Sequence, residues 1–251
     1  MFPIPSGNNQ SGSPARPEPV PVSHYCFLAE VSLRRLVNRA RHASSKLRPD
    51  INAAGAAHVA ASLWHLEGQL EQWLACLPAA LRFTVPIEAG PAAVEAGVAS
   101  TPEPEPQLVK LMRERYVEVR GLLCRGFLFL CVHGGSRLSA EQAIAYGGAA
   151  SVGLRLAVYR IRTERPFFRH MGSFMACRVR ANHALSLLAA ARARDLGVPS
   201  ARHVVVPPCW RESVVAVRDR LEIWADHGAG IPELAALLTW LLDQMPPRVQ
   251  E

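Results

Sequence analysis

The sequence predicts an all-α protein, a bundle-like domain of about seven helices, and three observations lead there. Apolar residues recur at steps of three and four along most of residues 23–245. Proline and glycine signals break that rhythm at intervals suited to helix ends. Only residues 202–206 alternate like a strand, and one isolated strand cannot build a sheet. With 251 residues, 49% hydrophobic and 20% charged, the chain is large enough to bury one sizeable core.

The first helix is expected from about His24 to Ser45, with Leu28, Ser32, Leu36, Val37 and Ala40 near one face and no proline between them. The second is expected from Ala53 to Ala75, where Val59, Leu63, Leu66, Leu70 and Trp73 keep the period and Pro78 follows. A third, from Gln107 to His133, carries Met112, Tyr116, Val119, Leu123 and Leu130 and stops at Gly134-Gly135. Ser139-Ala140-Glu141-Gln142 has the form of a capping box and opens a fourth, with Ile144, Ser151, Leu154, Val158 and Ile161 on one side. The fifth is expected from Phe167 to Asp195, after the break at Pro166, with Met171, Phe174, Ala181, Leu185 and Leu188 in register. Gly197 and Pro199 end it. A sixth from Pro208 to His227 places Trp210, Val214, Val217, Leu221 and Trp224 together, and a seventh runs from Ile231 to Met245 before Pro246-Pro247.

Around this body, residues 1–22 contain six prolines and few apolar side chains, so a disordered tail is expected. They have neither the basic start nor the apolar core of an export signal. Residues 84–106 hold five prolines, four glutamates and no basic residue, the composition of a flexible acidic linker inside the domain. Residues 246–251 form a short C-terminal tail. No apolar run approaches the roughly 20 residues needed to cross a bilayer, so no membrane span is expected.

The net charge is +7, and 26 of the 28 basic residues are arginine. Such a field attracts phosphates and acidic partners without reading bases. Two segments concentrate it: Arg34, Arg35, Arg39, Arg41, Lys46 and Arg48, then Arg160, Arg162, Arg165, Arg169, Arg178 and Arg180. In both, arginines interleave with apolar residues at helical spacing, as on a solvated helix face. The six cysteines, Cys26, Cys76, Cys124, Cys131, Cys177 and Cys209, include no C-x-x-C pair. They read as buried free thiols, with no metal or cofactor expected.

A catalytic constellation is not legible, and no catalytic, cofactor-binding or metal-binding residue is assigned. Gly147-Gly148-Ala149-Ala150-Ser151-Val152-Gly153 has no strand before it and no Lys-Ser or Lys-Thr after it, so its glycines read as close helix contacts. Ser173 lies within a helical pattern rather than on a nucleophile elbow. His58 and His65, seven apart with Glu67 nearby, lack the H-E-x-x-H arrangement, and they read with His170 and His183 as surface or satisfied histidines. Asp50, Asp195, Asp219, Asp226 and Asp243 are scattered singly, so paired acids for magnesium are absent from the pattern.

Four segments resemble stretches of fungal binuclear zinc cluster transcription factors. Residues 25–39, YCFLAEVSLRRLVNR, are similar to that family's "YYLAEISLRRLLNRI" helix. Leu66-Glu67-Gly68-Gln69-Leu70-Glu71-Gln72-Trp73 followed by Leu77-Pro78-Ala79-Ala80-Leu81-Arg82-Phe83 is similar to "L..QL..W...LP..LRF". Residues 111–128 resemble "LRARYYECRELLYRPFL", with Gly126 where proline is usual, and residues 170–178 resemble "RHHGTWLMCRS". The order and spacing agree, over about residues 24–245.

The resemblance implies a C-terminal regulatory region that modulates transcription in the nucleus through protein partners or a ligand, and it is compatible with a regulator of secondary metabolism. The six-cysteine zinc cluster and the coiled coil of a full family member have no counterpart here, so sequence-specific DNA binding, zinc and coiled-coil dimerisation do not carry over. The expectation is a non-enzymatic regulatory domain that works with a DNA-binding transcription factor or coregulator. The alternatives are a helical small-molecule-binding protein or enzyme with scattered site residues, and an inactive gene fragment.

Overall fold

In the computed structural model the described residues are 22–85, 106–163, 171–224 and 230–245, without the side chains of Ser136 and residues 171–174. They form seven α-helices: α1 (Val22–Ser44), α2 (Ala53–Ala75), α3 (Gln107–Gly134), α4 (Ala140–Thr163), α5 (Met171–Asp195), α6 (Trp210–Ile223) and α7 (Ile231–Asp243). Three single 3-10 turns, Ala79–Leu81, Gly135–Arg137 and Pro199–Ala201, join them. No strand occurs among the described residues, and the all-α expectation holds. No described helix is long and apolar enough to cross a membrane.

The helix ends show why these stretches begin and stop where they do. The Asn52 carboxamide accepts from the Gly55 N–H at 2.8 Å and starts α2. At α4 the capping box closes both ways: Gln142 N–H donates to Ser139 Oγ at 3.2 Å, and Ser139 N–H donates to Gln142 Oε1 at 3.0 Å. The end of α5 is a Schellman turn: Val198 N–H reaches back to Ala193 and Gly197 N–H to Arg194, with Gly197 at φ +65°. A side chain at that φ is strained, which is why glycine stands there. Arginines finish two other helices. Arg220 donates to the Ile161 carbonyl near the end of α4, and Arg211 donates to Leu242 and Met245 at the end of α7.

Packing follows the periodic faces, with α3 at the centre. Leu63, Leu70, Leu123, Leu154, Leu187, Val214 and Leu238 are all at most 1% exposed in one continuous core. Each such leucine or valine contributes about 2 kcal/mol of hydrophobic burial. Helices α1 and α3 run parallel, since Cys26 shares a cluster with Met112 and Glu30 lies against Arg115. Helix α2 packs against both and runs antiparallel to them, with Trp73 on Ala29, Glu67 on Arg120 and Leu63 at Gly126. Helix α4 returns along α3, pairing Phe127 with Tyr146 and Cys124 with Gly153.

Several expectations need correction. The buried face of α1 is Cys26, Ala29, Leu33, Leu36, Ala40 and Ala43, whereas Leu28 is 60% exposed and Ser32 is exposed. Ile144 on α4 points outward as well, because Ala143, Tyr146 and Gly147 take the inner positions. Residues 204–206 alternate buried, exposed, buried, yet pair with no strand; Val205 N–H donates instead to Ser151 Oγ of α4. The expected linker begins too early, because Val85 is 1% exposed within the core. The remainder of that linker, residues 86–105, lies outside the described residues. So do the tails 1–21 and 246–251, and residues 164–170 with the expected start of α5.

Candidate interaction surface

Two grooves flank α1, and they differ in how their charges are satisfied. On the α3 side a cleft of about 270 Å³ is lined by Glu30, Arg34, Arg41, Arg115 and Glu118 above Leu33, Val37 and Val119. Its charges are largely paired among themselves: Arg34 meets Glu30 at 3.0 Å, and Arg115 meets Glu30 at 3.5 Å and Glu118 at 3.0 Å. On the α2 side a wider groove of about 400 Å³ lies between Asn38, Arg39 and His42 of α1, with Lys46 just past its end, and Ser62 and His65 of α2, floored by Ala43 and Leu66. No acidic side chain lines it.

Within this second groove Arg39 donates through Nη1 to Gln69 Oε1 at 2.6 Å, and Gln69 Nε2 lies 2.9 Å from His65 Nε2. With its oxygen occupied by Arg39, the Gln69 amide turns its nitrogen toward His65 Nε2. A neutral amide therefore holds Arg39 in place without cancelling its charge.

The first arginine segment is the solvated face that its spacing predicts, since Arg34, Arg35, Arg39, Arg41, Lys46 and Arg48 are all exposed. The second is not. Arg180 is only 3% exposed, Arg160 and Arg162 are partly buried, Arg178 is exposed, and Arg165 and Arg169 lie outside the described residues. The packing of α3, α4 and α5 gathers Arg160 and Arg180 with Arg125 around His183. Burial, reinforced by the three guanidinium groups, drives the His183 pKa down to about 3. This imidazole is therefore neutral at physiological pH.

A scan of protein-family models, a search of curated proteins and a search of solved structures return no match. What this chain can do must be read from its own residues.

The other residues singled out by sequence fall as follows. His58 is exposed, and Glu67 turns away from both α2 histidines to pair with Arg120 at 2.9 Å. Burial raises the Glu67 pKa, and Arg120 opposes that rise only in part. Gly147 and Gly153 are close-contact positions: an added Cβ would stand 2.8 Å from the His203 carbonyl carbon and 2.4 Å from Cys124 Cβ, respectively. Gly148 faces open space. Cys26, Cys124, Cys131 and Cys177 are buried, Cys209 is partly buried, and Cys76 is exposed, against the expectation of six buried thiols. Burial pushes Cys124 and Cys131 up to about 12. No three His, Cys, Asp or Glu side chains cluster as metal ligands among the described residues. The side chain of Ser173 and the whole of His170 lie outside the description.

The α1–α2 groove itself was missed in the sequence. Its signal was present: Arg39 and His42 three apart on one helix with Lys46 four residues further on, and Ser62 and His65 three apart on the next helix.

Proposed function

We propose that this chain is a helical regulatory domain that modulates transcription in the nucleus by binding a DNA-binding transcription factor or coregulator, and not by catalysing a reaction. The observation that carries this is where the segments resembling zinc cluster regulators meet. Trp73 of the second segment donates through Nε1–H to the Ala29 carbonyl of the first, at 3.2 Å. Its ring stacks on Tyr116 of the third with centroids 6.3 Å apart. Phe83 closes the group against both rings, at 6.5 Å from Trp73 and 5.7 Å from Tyr116. Leu77 and Leu81, on either side of the Leu-Pro corner, are buried with Cys26, Ala29 and Met112. Three segments far apart in sequence thus resemble the family at the positions that build one junction, which favours a shared architecture over chance likeness.

The exposed basic face of α1 suits contact with an acidic partner surface. Fused to an unrelated DNA-binding domain, the chain should change transcription of a reporter carrying that domain's site. On its own it should bind a duplex weakly, with little preference between sequences and strong salt dependence. Discrimination of more than about a hundredfold between a specific and a scrambled duplex at physiological salt would overturn the requirement for a partner. A silent reporter together with turnover of a small molecule would replace this proposal with the enzyme alternative.

A further inference from the structure

Building on that regulatory role, we propose that the α1–α2 groove is the partner-docking site and that its occupant is a short, extended, acidic peptide segment of the partner protein. The first support is the contrast between the two sides of α1. Where the helix faces α3, glutamates answer the arginines; where it faces α2, Arg39 has only Gln69, and neither Arg39 nor Lys46 forms an ion pair among the described residues. A groove whose cations are left unanswered by the described residues is complementary to carboxylates supplied from elsewhere.

Dimensions favour a peptide. Arg39 lies in the last turns of α1, which rises about 8 Å from there to its end at Ser44 at 1.5 Å per residue, and Lys46 follows two residues on in the turn that leaves the helix. An extended strand advances about 3.3 Å per residue, so carboxylates three residues apart cover a comparable reach. The Gln69 contact fixes Arg39 in advance, which lowers the entropy lost on binding. His42 and His65 line the groove with the two cations, and the Ala43–Leu66 floor accepts one small apolar side chain. A nucleic-acid duplex would instead present a continuous phosphate ribbon to a strip only two helical turns long, with Glu30 and Glu118 on its other flank.

The test is fluorescence polarisation with a labelled peptide of about twelve residues built from Asp, Glu and Leu, beside its Asn/Gln counterpart and a labelled duplex. The full chain should bind the acidic peptide and not the amide version. R39Q/K46Q should weaken binding at least about tenfold. The control R34Q/R48Q, equally exposed but outside the groove lining, should change it less than about twofold, with circular dichroism showing both variants folded. Equal weakening by the two pairs would overturn the groove in favour of diffuse charge. Duplex binding that is tighter than peptide binding and lost in R39Q/K46Q would overturn the peptide in favour of nucleic acid. The reporter separates this proposal from the one beneath it: an effect kept in full by R39Q/K46Q sinks the groove and leaves the regulatory role. Groove-dependent peptide binding with a silent wild-type reporter sinks the regulatory role and leaves the groove.

Discussion

Where α1, α2 and α3 meet, the helices are held apart and joined by large rings, Trp73, Tyr116 and Phe83, with a hydrogen bond from the indole to the α1 backbone. Along the seam between α3 and α4 the opposite solution is used, with Gly153 directly on Cys124 and Ala150 and Ala157 buried alongside. The same apolar period thus encodes two kinds of contact, and the residue size at the contact decides which. A filled junction fails when a side chain is removed, because the neighbours cannot collapse into the space. A close seam fails when a side chain is added, because the helices cannot separate without opening the rest of the core.

That asymmetry can be broken from either side. Trp73→Ala should cost the most, about 3–5 kcal/mol in urea unfolding, whereas Trp73→Phe should lose little beyond the bond to Ala29, about 1 kcal/mol. A loss under about 1 kcal/mol for the alanine variant would show that the rings are not what joins α1 to α3. Gly153→Ala, normally a mild change in a helix, should here cost about 1–3 kcal/mol. Cys124→Gly combined with Gly153→Ala should recover most of that loss, since it moves the single Cβ to the other helix; no recovery would mean the clash lies elsewhere.

The third test probes the far side of the seam, where α5 brings His183 among Arg125, Arg160 and Arg180. The folded-state pKa of about 3 lies below the ordinary histidine value of about 6.5, so between these limits the unfolded chain binds the extra proton. This stabilising contribution is complete above about pH 6.5 and is lost as pH falls toward 3, with a slope of about 1 kcal/mol per pH unit. His183→Gln should therefore flatten the stability profile between about pH 6 and pH 4, measured by thermal melts; an unchanged slope would place the acid sensitivity in other groups. The smallest effect is expected at the entry to α4, where Ser139→Ala removes one half of the capping box and should cost about 1 kcal/mol.

Helix number and most inner faces were legible because the period and the end signals agree, as at Val59–Leu63–Leu66–Leu70 of α2 and the Ser139–Gln142 box. Errors arose where small residues carry the contact. On α1 the true face runs through Cys26, Ala29, Ala40 and Ala43, which periodicity weighs lightly, while the larger Leu28 drew the predicted stripe outward. The second arginine segment misled for a related reason. Spacing along a helix cannot say that α3, α4 and α5 will pack together and bury Arg180 of α5. The α1–α2 groove was half legible: each helix shows its own row of polar residues, but only the antiparallel packing puts Arg39 beside Gln69 and leaves the two rows facing each other.

The distribution of thiols has a practical consequence. Four cysteines are buried, with Cys124 and Cys131 held up to about 12, and Cys209 is partly covered, so the exposed Cys76 at the end of α2 is the sulfur a reagent in solution meets first. A maleimide dye, spin label or crosslinker will therefore attach beside the Leu77-Pro78 corner without mutagenesis, giving distance measurements a fixed origin at one end of the bundle. The same position makes air oxidation a source of covalent dimers, which a reducing agent or Cys76→Ser removes.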